Sequence, residues 1–275
     1  MQTQKFTFMK TKIVALACLV AFGLYSCNSG SGTKQASEAP KKAEQKENVI
    51  KEVSDYPMPS AFDVTKMLNQ AGASYILAIS NPTTSVEKYF TAKEKAINLG
   101  IYGADLAYAS TYEMKQETML YLKAAKQLID GLEISSNFNM SFAQRVESNI
   151  DDKDSLINII SNSFYDTYEF LNNNGKDNLS LLIMSGSFIE GLYITSQIGL
   201  SANDPAKFNK ILANQKSSIA KLIELLTPVK AEADIADIYA DLEKLNAIYA
   251  VEGELSADQL KKVVDLVAEI RTKLV

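Results

Sequence analysis

The stretch LSLLIMSGSFIEGLYITSQIGL, residues 179–200, decides the fold. It is apolar on nearly every side, rich in Ser and Gly, and interrupted by one charge, Glu190. A second stretch, AINLGIYGADLAYAST at 96–111, has the same character and holds one acid, Asp105. A helix that is hydrophobic all round is either enclosed by other protein or lies in lipid. For 179–200 the internal Glu190, the Ser and Gly content and the lack of a flanking basic cluster favour a protein interior over a membrane span.

Around these two rods the pattern is helical. The spacing predicts helices over 61–79, from Thr84 to about Tyr112, and over 114–132. A short piece capped by Ser141 and Gln144 follows, then 156–171, 179–200 and 204–226, the last opened by Asp204-Pro205. Pro82 and the run Asn172 to Gly175 read as stops. Asp151 to Asp154 read as a helix start, since the glycine and distal glutamate of a calcium loop are missing. Apolar stripes at 235–245 and 260–270 close the chain, the second capped by Ser256 and Gln259. No segment alternates in the manner of a strand. The fold class expected is all-α, a bundle of about eight helices in a single domain over 60–275.

The two rods share the pattern acid-x-x-Tyr-x-hydroxyl: Asp105, Tyr108 and Ser110 in one, Glu190, Tyr193 and Thr195 in the other, 85 residues apart. This suggests an internal duplication of 61–133 in 154–226, with a closing helical hairpin at 231–274.

Composition removes whole classes of chemistry. The chain of 275 residues contains no His and no Trp. Without imidazole there is no Ser-His-Asp or Cys-His catalysis and no His-ligated zinc or haem. No glycine-rich phosphate loop follows a strand. Hence no cofactor, no metal and no nucleophile–base pair is expected. The net charge is −5, with no basic cluster in the folded part, which argues against nucleic acid.

The candidate site residues are therefore Asp105, Tyr108, Glu190 and Tyr193. A buried carboxylate must be paired, hydrogen-bonded or protonated. If the two rods pack together, the acids approach each other. They then form either a polar pocket for a cation or small ligand, or a structural network satisfied by Tyr hydroxyls and a Lys or Arg145.

The N-terminus supplies an address. Lys10 and Lys12 precede an apolar run, Ile13 to Tyr25, too short to cross a bilayer comfortably, as in a secretion signal. Met9 opens a more typical signal than Met1 does. The run ends in Leu24-Tyr25-Ser26-Cys27, which resembles the lipobox of bacterial lipoproteins, with a bulkier Tyr at the second position. The resemblance covers only the leader and implies cleavage after residue 26 with lipid carried on Cys27. Cleavage would remove Lys5, Lys10 and Lys12, taking the net charge from −5 to −8. It would also discard Cys18 and leave one sulfur, unable to form an internal disulfide. Asn28 after the Cys implies, by the same resemblance, sorting to the outer membrane, and no acidic run signals surface export, so the body would face the periplasm. Residues 27–59 are polar and charged, a flexible tether. The function expected is that of a lipid-anchored envelope protein, a helical binding or scaffolding module for a protein partner or small ligand. The alternative is a carboxylate-dependent hydrolase of envelope polysaccharide.

Overall fold

The structure, a computed structural model, describes residues 61–134 and 140–275. The expected leader, Cys27 as its expected lipid carrier and the expected tether lie outside the described residues. Those described belong to one unit, and their regular structure is helical throughout.

Ten α-helices are present among the described residues: α1 Ala61–Gln70, α2 Ala92–Thr111, α3 Lys115–Gly131, α4 Met140–Ser148, α5 Lys153–Asn173, α6 Asp177–Ser201, α7 Pro205–Ala213, α8 Lys216–Leu226, α9 Ala236–Tyr249 and α10 Ala257–Leu274. The all-α reading holds, and the two rods, α2 and α6, form the centre. Every residue of α2 from Ala96 to Thr111 is buried, as is almost all of α6 between Ser180 and Gly199. Helix α6 is long and apolar enough to cross a membrane, yet 78% of its apolar window is buried inside the protein. The helices that cover the pair are amphipathic: α1, α3 and α5 lie against α2, while α7 and α10 lie against α6.

Four boundaries differ from those the pattern suggested, each for a local reason. Helix α1 stops at Gln70, not Ile79, because Gly72 adopts φ +82°. Gly72 N–H donates to Asn69 O at 3.0 Å and Ala73 N–H to Leu68 O at 3.1 Å, the paired bonds of a Schellman stop. Helix α2 begins at Ala92, not near Thr84. Thr91 and Glu94 form its capping box, and Thr83–Lys88 winds as a 3-10 turn. The single helix expected over 204–226 breaks at Asn214 and Gln215, so two shorter helices present Leu212 and then Ile219 and Leu222 to the core. Helix α4 starts at Met140, which places Ser141 inside it instead of at its cap.

Other start signals are met as expected. Asp152 caps α5 by accepting from Ser155 N–H at 3.1 Å, and Ser256 with Gln259 forms the capping box of α10. Asp204 caps α7, with Pro205 as its first residue.

Candidate functional site

Helices α2 and α6 run side by side in the same direction, because small residues let them. A methyl group at Gly100 would overlap the carbonyl oxygen of Ile183, and one at Gly186 would overlap that of Ile97. With the backbones this close, residues that share a register meet, and Asp105 and Glu190 do. Their carboxyl groups are neighbours, close enough for each to act on the other, and both side chains are completely buried.

The third member is Arg271 on α10. Its Nε donates to Glu190 Oε2 at 3.0 Å and its Nη2 to Glu190 Oε1 at 3.1 Å, a bidentate fork. The guanidinium also lies over the Tyr193 ring, 4.4 Å from the centroid, and Nη2 reaches Ile79 O at 3.4 Å. Asp105 is held differently. Its Oδ2 accepts from Asn81 N–H at 3.1 Å, while Oδ1 receives no donor group. The segment 79–82 thus wraps the pair. Asn81 Nδ2 donates to Tyr89 OH at 3.0 Å, and Tyr102 OH donates to Pro82 O at 2.9 Å.

The electrostatics of the two acids differ. Burial, and then the charge of Glu190, push the Asp105 carboxyl well above the usual range. Burial also raises Glu190, against the opposing pull of Arg271. Burial works against the charge of Arg271, but Glu190 outweighs it and the guanidinium holds its proton more firmly than usual.

Of the four candidate residues, then, Asp105 and Glu190 come together and Tyr193 backs their arginine. Tyr108 stays near Asp105 but takes its hydrogen bond elsewhere. It is wholly buried, its OH accepts from Ile76 N–H at 2.8 Å, and its ring lies 4.6 Å from Tyr75 and 5.1 Å from Tyr112. Burial pushes its phenol up to about 12. The cation that answers the acids is Arg271, not Arg145, which sits on α4. A signal for it was present: Arg271 extends the apolar stripe of α10 by one turn from Val267, where a solvated charge would be out of place.

Compared with known proteins, the chain matches no family model, no curated sequence and no solved structure. What it can do must be read from its own geometry.

Away from the acid pair, a groove of about 770 Å³ opens between α3 and α4. Met119, Leu122, Ala125, Ile129 and Phe142 contribute to its lining, and Lys123 and Lys126 are among its polar residues. Leu120, 44% exposed, stands beside them. Sequence reasoning did not find this groove.

Proposed function

We propose that this protein is a lipid-anchored binding module of a bacterial cell envelope, tethered through Cys27 to the outer membrane and facing the periplasm. It takes up a small molecule with an apolar body in the groove between α3 and α4. The groove carries this reading: its volume of about 770 Å³ falls within the range of small-molecule sites, and apolar side chains with a few charged groups are the usual lining of such sites. The alternative, hydrolysis of envelope polysaccharide by Asp105 and Glu190, draws no support from the pair. Both carboxyls are completely buried and both oxygens of Glu190 are taken by Arg271, whereas glycosidase carboxyls flank the bond to be cut and are free to act on it.

Two measurements on the full chain test the proposal. Expressed in a bacterial host fed a labelled fatty acid, the wild type should take up label and fractionate with outer membranes, and Cys27→Ser should do neither. Titrated with an apolar dye that fluoresces on leaving water, the wild type should bind at a saturable site that Leu120→Lys weakens at least tenfold. An unlabelled wild type would refute the anchor. A dye isotherm unchanged by Leu120→Lys would refute the groove.

A further inference from the structure

The cluster at the centre of the fold holds two acids and one base. Among the described residues that face the pair, Arg271 supplies the only positive charge. The other groups around it are Ser80 and Asn81 from the wrapping segment, Tyr75 from the chain before it, and Tyr89. Tyr102 and Tyr108 belong to α2, Tyr121 to α3 with Glu117 behind it, and Tyr193 to α6. None of these side chains is a base. Two neighbouring carboxylates, wholly out of water and answered by one guanidinium, cannot both ionise without leaving a buried charge unpaired.

The hydrogen bonds show which acid keeps its charge. Both Glu190 oxygens are taken by the Arg271 fork, the geometry of a carboxylate. Asp105 accepts at Oδ2 from one backbone N–H, while Oδ1 is buried with no hydrogen bond formed, and the one neutral donor beside the carboxyl, the Ser80 hydroxyl, is itself left without a partner. An acceptor orphaned in this way is costly. A proton on Oδ1 turns it into a donor, and the carboxylate that neighbours Asp105 is Glu190.

We propose that Asp105 and Glu190 bind a single proton between them, carried on Asp105 Oδ1 and donated to the Glu190 carboxylate, and that this proton holds the C-terminal helix α10 in place. Without it, two anions compete for Arg271, whose fork and ring contact are the polar anchor of α10 on α6. The protein thus carries a proton-held latch. Protonated, the cluster is neutral and α10 is seated; with the proton gone, α10 is the element that loosens. The direction follows from linkage. The folded chain holds a proton that the unfolded chain gives up near the ordinary aspartate value of 3.8, so this contribution is full below that value and is lost as pH rises through the higher folded value.

The test compares Asp105→Asn with Glu190→Gln in the full chain. Thermal midpoints are measured from mildly acidic to alkaline pH, with the infrared band of an un-ionised carboxyl recorded alongside. Asn mimics a protonated Asp105, so Asp105→Asn should fold as well as the wild type. It should lack the wild-type loss of stability with rising pH, a difference of one linked proton per molecule, and it should lack the infrared band. Glu190→Gln strands Arg271 and should be destabilised throughout the range. Hydrogen exchange in α10, corrected for the intrinsic rate, should quicken with pH in the wild type and not in Asp105→Asn. The latch is overturned if the wild type shows no such band, if Asp105→Asn keeps the wild-type pH slope, or if it is destabilised as severely as Glu190→Gln. Because the band is read on the wild type, the proposal stays open to refutation even if Glu190→Gln does not fold. Stabilisation that depends on sodium or potassium at constant pH would assign the orphaned oxygen to a cation and overturn the proton.

Discussion

Gly100 on α2 and Gly186 on α6 bring the two central helices into backbone contact, each facing the other helix's main chain without a side chain between. This contact fixes the depth and register at which Asp105 meets Glu190. Widening it by the thickness of a methyl group would pull the carboxyls apart, so the packing of two glycines and the chemistry of two acids are one problem.

Gly100→Ala and Gly186→Ala are therefore expected to destabilise the fold, each by at least about 1–3 kcal/mol, since the added carbon meets a rigid carbonyl and not a movable side chain. Gly191→Ala serves as the control. It lies on the same helix with nothing within 4 Å of the added carbon, so it should be neutral or stabilising by up to about 1 kcal/mol through helix propensity. Urea unfolding of the three variants gives the comparison. Equal losses at all three positions would show that the helices are not locked at Gly100 and Gly186.

Arg271→Ala should be the most damaging surface-proximal change in the chain. It leaves Glu190 buried and unanswered, a loss of roughly 3–5 kcal/mol. Arg271→Lys keeps the charge but not the fork or the ring contact, so it should recover only part of that loss. Adding Glu190→Gln to Arg271→Ala should restore stability relative to Arg271→Ala alone, because the stranded charge is gone. A double-mutant cycle in urea reads this coupling, and strict additivity would mean that the pair makes no net contact in solution.

The asymmetry between what the sequence disclosed and what it hid has physical causes. An acid inside an apolar, small-residue helix can be seen in one dimension, since nothing local can satisfy it; Asp105 and Glu190 were legible for that reason. Arg271 can be seen as a charge on the apolar stripe of α10, but its pairing cannot, because its partner lies 81 residues away. Tyr108 was misplaced by spacing alone. Three residues from Asp105 along a helix shares its face, but a phenol reaches well beyond its backbone, and here the OH finds the Ile76 N–H. The groove is a property of the gap left between α3 and α4, and neither helix announces it.

Asp241 gives the opposite pH behaviour from Asp105. Burial alone would raise it, but Lys244 at 2.8 Å and Lys273 at 3.3 Å hold its carboxyl below the ordinary value of 3.8. A lowered folded value means that its contribution is present above 3.8 and fades as pH falls through the folded value. Both lysines are largely solvated, so the effect is small, no more than about 1 kcal/mol. Asp241→Asn should cost about that much at neutral pH and nothing in strong acid. A cost that persists in acid would assign the role of Asp241 to packing instead of charge.

Two adjacent stretches each offer a Thr with a Glu three residues on, and the structure uses only one of them. Thr91 Oγ1 accepts from Glu94 N–H at 3.1 Å, and Glu94 Oε2 accepts from both Thr91 N–H and Phe90 N–H at 2.9 Å. Those backbone bonds draw the Glu94 carboxyl below its ordinary range. Thr84 lies in a 3-10 turn with Glu87 and caps nothing. Thr91→Ala should accordingly cost about 1 kcal/mol, and Thr84→Ala less than about 0.5 kcal/mol. Thr91→Ser, which keeps the oxygen, should lie close to the wild type. Thermal unfolding at neutral pH ranks the three. If Thr84→Ala proved the costlier alanine, α2 would start about two turns earlier than Ala92, and the segment 79–82 could not reach back to Asp105 as it does.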